Sequence, residues 1–220
     1  MEGDADEAAD GSEPLGARKL TRQGKARRDR LIAEAALLFA NNGYDATRVI
    51  DIVRQAGVAK GLFYWYFENK EALFRDIVTS TREDLRRVQA RAIENEVDPL
   101  ARVAAGIEAS IRFFAEKEHL HVLLLYAGTQ ERFAPLIDEA QDIHTADTAV
   151  HVQAAMEEGL IPPGDPMLLA HGVVALVLHF ARLRASGRVA MPLDELCTFA
   201  STYCLRALGA VGAITPAHAR

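Results

Sequence analysis

Residues 47–73 read TRVIDIVRQAGVAKGLFYWYFENKEAL, and the spacing within this run decides the fold. Val49, Ile52, Val53 and Ala56 recur at i, i+3, i+4 and i+7, one face of a helix that Thr47 can cap. Gly57 stops that helix after about two turns, because glycine tolerates the left-handed conformation that closes a helix. A second short helix is expected over residues 60–67, with Val58 plugging the angle between the two. Helix, tight turn and short helix make the helix-turn-helix unit, in which the first helix braces the second and the second projects into a groove of DNA.

Phe63 and Phe67 sit four apart and can face the core, which leaves Lys60, Gly61, Leu62, Tyr64, Trp65 and Tyr66 around the outer faces. So many exposed aromatics are out of place on a helix that only fills a core. Tyrosine hydroxyls and the tryptophan N–H can donate to phosphate oxygens, and Lys60 adds charge. On spacing alone, a structural helical hairpin in another all-α protein remains the plainer alternative.

Working outward, Ile32, Ala35, Ala36 and Phe39 mark a preceding helix from Lys25, ended by Asn41-Asn42-Gly43. Asn69 caps a long helix running through Leu73, Phe74, Ile77, Val78, Leu85, Val88 and Ala92. Asp98-Pro99 is a start signal, and Leu100, Val103, Ala104, Ile107, Ile111 and Phe114 form one apolar stripe behind it. Further helices are expected over 119–128, 133–158, 165–187 and 192–208, each bounded by Gly, Pro or Asp. No strand pattern or internal repeat is present. The fold class is all-α, with about nine helices.

Length and composition agree with this reading. The chain has 220 residues, 50% of them hydrophobic and 25% charged, which excludes wholesale disorder and fibrous architectures. Its longest weakly charged run, 168–181, falls short of a membrane span and contains His171 and His179, so a buried core helix is expected there. The acidic start, MEGDADEAADGSEP, has no apolar region of the secretory kind. Two cysteines make no disulfide framework and suit a reduced, cytoplasmic setting.

Net charge is -6, but it is unevenly spread. Residues 1–14 hold six acids and no base, residues 15–70 carry a local +6, and residues 71–220 a local -6. A polyanion contact confined to the N-terminal part follows. Arg18, Lys19, Arg22, Lys25, Arg27, Arg28 and Arg30 form either a solvated helix face or an arm along phosphates, or both.

The 47–73 run, together with Phe39 and Gly43-Tyr44 before it, resembles the signature of TetR-type transcriptional regulators, T-x-V-x-x-I-A-x-x-A-G-V-x-x-G-x-[LF]-Y-x-[YH]-F-x-[SN]-K-x-x-L. The remaining residues match that family only in helix count, length and order. The resemblance implies a dimeric DNA-binding repressor or, less often, an activator. It implies phosphate contacts for Tyr64, Tyr66 and Lys70, and a major-groove position for Lys60, Gly61 and Leu62. Three departures stand out. Arg48 replaces a usual Thr or Ser that contacts phosphate. Ile50 replaces an often polar, base-facing residue. Ala59 replaces the usual cap of the second helix, at a cost of about 0.5–2 kcal/mol.

Other patterns fit plain packing at least as well as chemistry. Glu116-x-x-His119 and Glu118-x-x-His121 have a di-iron spacing, but no second copy occurs, so no metal is expected. His144 and His151 share a helix face and suit a polar handle in a pocket. Cys197 and Cys204 read as small buried hydrophobes. Phe113, Phe114, Tyr126 and Phe133 are mostly core, yet with His144 they are the expected lining of a cavity for an apolar effector. The nearly all-round apolar helix through Val173 and Val177, and the last helix through Leu196, Ala200, Cys204 and Leu208, are expected to form a two-fold dimer interface.

The expected organisation is a disordered tail over 1–24, a DNA-binding domain over 25–71 with its helix-turn-helix at about 48–67, a ligand-binding and dimerisation domain over 72–210, and a flexible tail over 211–220. The expected function is ligand-responsive transcriptional regulation, with operator DNA contacted by Thr47, Arg48, Lys60, Gly61, Leu62, Tyr64, Trp65, Tyr66 and Lys70. The partners expected are double-stranded operator DNA, a small effector and a second copy of the chain, with no cofactor, no metal and no membrane. An all-α enzyme with a basic anion site is the rival. It lacks a glycine-rich phosphate loop, a nucleophile elbow or a paired metal motif in the sequence.

Overall fold

Helix α1 (Arg22–Asn42) begins three residues before the expected Lys25, because Thr21 caps it by accepting from the Gly24 amide at 3.1 Å. Residues 22–24, expected in the tail, are therefore helical. The structure, a computed structural model, describes residues 21–210; the expectations for 1–20 and 211–220 lie outside them. Gly43 ends α1 at φ 83°, donating to the carbonyl of Phe39.

Helix α2 (Val49–Ala56) is capped by Arg48 rather than Thr47, with Asp51 reaching back to the Arg48 amide at 3.3 Å. Gly57 takes the left-handed conformation at φ 66° and turns the chain into α3 (Lys60–Tyr66), whose first turn has no capping side chain, as Ala59 implies. Asn69 caps α4 (Lys70–Ile93) by accepting from the Ala72 amide at 2.8 Å. Asp98 caps α5 (Pro99–Glu116), and Asp165 does the same for α8 (Pro166–Ala185). Helices α6 (Glu118–Gly128), α7 (Ala134–Glu157) and α9 (Leu193–Ala207) complete an all-α fold with no strand among the described residues.

Two large apolar clusters carry most of the packing, with a small third one around Phe113 and Phe114. One gathers Leu31, Ala35 and Phe39 of α1, Ile52 and Val53 of α2, Phe63 and Phe67 around α3, and the first turns of α4. It also takes in Leu120 and Leu123 of α6, and Phe133 with Ile137 at the start of α7. The other surrounds α5 with the end of α7, α8 and α9. The helix-turn-helix therefore shares its core with α6 and α7, and residue 71 ends a motif without ending a core.

Candidate functional site

On α3 the alternation expected from the sequence holds. Phe63 and Phe67 are buried, whereas Lys60, Gly61, Tyr64 (47% exposed) and Trp65 (40% exposed) stand on the surface and Leu62 is half-buried. Tyr64 packs edge-on against Phe63 at 5.2 Å and Lys60 reaches over its ring, so the exposed ring is held by its neighbours. Arg48 projects from the start of α2, and its guanidinium is held by both carboxylate oxygens of Asp51 at 3.0 and 3.2 Å. Such an exposed pair, screened by solvent, contributes little and leaves Arg48 within easy reach of a phosphate.

Three of the expected contact residues make hydrogen bonds within the chain. Thr47 is buried, and its hydroxyl donates to the Gly43 carbonyl at 2.8 Å, closing the α1–α2 turn where helix carbonyls lack partners. The Tyr66 hydroxyl donates to the Gly24 carbonyl at 2.8 Å and ties α3 to α1. The Lys70 ammonium donates to the carbonyls of Tyr44 at 2.7 Å and Thr47 at 2.9 Å and lies over the Tyr44 ring at 4.2 Å. Burial lowers the Lys70 pKa, opposed by Asp45. Arg28, expected on a solvated face or an arm, is paired with Asp76 of α4. These groups hold the reader's shape, which residue type and spacing do not disclose.

A junction absent from the sequence reading joins reader and body. Arg132, in the α6–α7 corner, donates to Asp45 at 2.7 Å and covers the rings of Tyr44 and Phe133. That hydrogen bond holds the Asp45 carboxyl below its ordinary range. Tyr126 also donates to Asp45, at 3.3 Å. Phe133 is fully buried, stacked on Phe74 at 4.1 Å and edge-on to Tyr44 at 5.0 Å. The partners lie more than 80 residues apart in sequence, so no local pattern announces them.

The body contains a cavity of about 300 Å³ between α4, α5, α7 and α8. Apolar Val103, Ile107 and Val177 line it beside Gln89, Ser110 and His144. Gln89 donates to Ser110 at 2.9 Å and lies 3.4 Å from His144 Nδ1. Burial lowers the His144 pKa and keeps the imidazole neutral. A smaller chamber of about 110 Å³ continues towards α6, and Arg86, His144 and Val174 line both spaces. Of the expected lining residues, His144 faces both spaces and Phe114 the smaller one. Phe113, Tyr126 and Phe133 line neither. Phe113 packs with Phe114, Leu85 and Ala181, while Tyr126 and Phe133 belong to the reader's cluster. Three of the four large aromatics are needed as packing, and much of the cavity's polar lining comes from Gln89, Ser110 and Arg86.

The expected dimer residues Val173, Val177, Leu196, Ala200, Cys204 and Leu208 are all buried within the protomer, forming the second cluster. These helices are apolar on two faces, and the small and branched residues turn inward. The outward face carries Leu168, Phe199 and Tyr203, with Phe180 bridging the two aromatics at 5.8 and 6.1 Å. By length and composition α8 could cross a membrane; here it packs on α5, α7 and α9. Burial pushes both the Cys197 and Cys204 thiols up to about 11, which makes them poor nucleophiles. No three His, Cys, Asp or Glu side chains among the described residues are grouped to hold a metal ion.

Comparison with known proteins places this architecture. Residues 31–77 match the bacterial regulatory proteins of the tetR family. The HTH-type transcriptional regulator YfiR of Bacillus subtilis is 35% identical over 182 residues, covering 76% of this chain and 88% of that protein. The HTH-type transcriptional repressor KstR2 of Mycolicibacterium smegmatis is 30% identical over 115 residues, covering 52% of this chain and 55% of that one. A TetR-family regulator from Syntrophomonas wolfei superposes with a TM-score of 0.75 at 18% identity, covering 88% of this chain and all of that one. With its surface-facing aromatic helix braced by α2 and a helical body behind it, the chain belongs to the TetR family and is a DNA-binding transcriptional regulator.

Proposed function

We propose that the chain is a homodimeric, cytoplasmic repressor that leaves its operator when a small, largely apolar effector fills the body cavity. One observation carries the reading: α4 lines the cavity through Arg86 and Gln89, and its first turn anchors the reader through Asn69 and Lys70. Its 24 residues span about 36 Å, so a small tilt at the cavity end shifts α3 by several ångströms. The KstR2 match supports repression. In this reading Lys60, Gly61, Leu62, Tyr64, Trp65 and Arg48 meet the duplex, and Thr47, Tyr66 and Lys70 position them.

Two readers must stand about 34–36 Å apart to enter successive major grooves. The exposed aromatic face of α8 and α9 is the surface on which a second copy would pack. Phe199→Glu is expected to give a monomer of unchanged helicity in sedimentation. Ala200→Glu, which buries a charge in the protomer core, is expected to unfold it. A dimer that survives Phe199→Glu would move the interface elsewhere.

Switching the operator from 99% to 1% occupied requires about 5.5 kcal/mol of preference for the non-binding form, shared over two effector sites. Linkage then makes operator DNA weaken effector binding by the same total factor. Trp65, the single tryptophan, sits on α3 and reports the contact directly. A duplex selected from a random pool should change Trp65 emission, and an effector should reverse that change. An effector that binds equally with and without the duplex would refute the mechanism.

A further inference from the structure

The smaller chamber brings an unpartnered imidazole nitrogen and a loosely paired guanidinium to one largely apolar space. His121 on α6 is 2% exposed, and its Nε2 has no hydrogen-bond partner. Its ring rests edge-on against Phe114 at 5.1 Å. Buried polar atoms almost always find a partner, so an orphan of this kind calls for an explanation. Across the same chamber stands Arg82 of α4, whose side chain is 25% exposed. The carboxylate facing it, Glu139, is 3.9 Å away, beyond hydrogen-bond distance, and is itself 67% exposed. The neighbouring Arg86 is already held by Asp147 at 2.7 Å.

The remaining lining is mostly apolar, with Val78, Leu85, Phe114, Leu124, Ile137 and Leu178 beside the Gln141 amide and the His144 imidazole. Thr81 spends its hydroxyl on the Ile77 carbonyl. No aspartate or glutamate lines the chamber. The wall thus offers donors and positive charge with no carboxylate of its own to neutralise them. A neutral alcohol would satisfy His121 and leave Arg82 unanswered, whereas a carboxylate answers both. A dianion would need more donors than the wall supplies.

We propose that this chamber binds an apolar monocarboxylate, one oxygen accepting from His121 Nε2–H and the other facing the Arg82 guanidinium. The hydrocarbon lies along Leu85, Phe114 and Ile137. A longer chain continues past His144 and Val174 into the 300 Å³ cavity. This names the chemical class of the effector and rests on the effector reading above.

The test is calorimetry of the full chain with straight-chain and aromatic carboxylic acids of about six to twelve carbons, each paired with its alcohol. At least one acid is expected to bind at least about tenfold tighter than its alcohol. Arg82→Gln and His121→Leu should each remove that preference and leave alcohol binding in place; circular dichroism verifies that both variants fold. Acids and alcohols that bind equally, or not at all, would overturn the proposal, and so would a preference that survives both substitutions. The same compounds are then added to the operator complex. Alcohols that release DNA with no preference for acids would sink the carboxylate inference and keep the effector reading. An acid that binds with the expected preference and leaves operator affinity unchanged would keep the chamber assignment and sink the effector reading.

Discussion

At its first residue α4 carries Lys70, whose ammonium donates to the carbonyls of Tyr44 and Thr47; three turns later it carries Arg82, which meets its carboxylate only at 3.9 Å. The same helix is tied down at the DNA end and left with unspent donors at the cavity end. Around Lys70, Thr47, Tyr66 and Arg28 are also committed to partners within the chain, so these groups are already held in place without DNA. Around Arg82 and His121 the walls are mostly apolar, and these two side chains lack a close hydrogen-bond partner. A reader gains from being pre-organised, because ordering it on contact would cost affinity. A sensor has to keep interactions in reserve, since a ligand shifts an equilibrium only by its differential contacts.

The strongest way to break this contrast is at the junction between the two ends. Phe133→Ala removes a fully buried ring stacked on Phe74 and edge-on to Tyr44, and should cost about 3–5 kcal/mol in urea unfolding. Because those contacts join α7 to the α1–α2 turn, the reader should loosen together with the body in one transition. A loss below about 1 kcal/mol, or a separate early transition of the reader alone, would mean that the two regions do not share a core.

A smaller effect is expected at the tied end. Lys70→Met keeps the stem of the side chain and deletes the ammonium, leaving the turn carbonyls short of donors, for about 1–3 kcal/mol of stability. Operator binding should weaken because the turn before α2 relaxes, while the slope of affinity against salt barely changes. Lys60→Ala should do the reverse: stability within about 0.5 kcal/mol, and a salt slope lower by about one unit. If Lys70→Met lowers the slope by about one unit, its ammonium touches phosphate in the complex, as the family resemblance implies.

Much of the fold was legible because its signals are local. The i, i+3, i+4 stripes, Asn69, Asp98 and Asp165 as caps, and Gly57 as the turn all act within a few residues, and each helix formed close to its expected bounds. What stayed hidden depends on distant partners. Lys70 and Tyr66 look like surface donors until α1 is packed against them, and Arg132 meets Asp45 only once α6 has folded onto α1. Both faces of α8 and α9 read as apolar, so composition alone could not tell that Val177 and Ala200 turn inward while Phe199 and Tyr203 turn outward. For the cavity, size misled: Phe113, Tyr126 and Phe133 went to packing, and much of the polar lining came from Gln89, Ser110 and Arg86, which no motif marks.

The smallest expected effect sharpens the contrast most, because it sets the unspent end of α4 directly against the tied one. Arg82→Gln removes a guanidinium whose charge partner is loose and largely solvent-exposed. A pair this long, with its carboxylate mostly in solvent, contributes about 0–1 kcal/mol, and glutamine retains much of the arginine stem. Stability in urea should therefore change by no more than about 0.5 kcal/mol, a fraction of the cost of Lys70→Met three turns earlier on the same helix. The two residues are alike in charge and both partly buried, so burial alone would predict similar costs. Only the difference in committed hydrogen bonds separates them. Equal losses for the two variants would show that Arg82 is as fully engaged as Lys70, and the reserve of donors at the cavity end of α4 would then not exist.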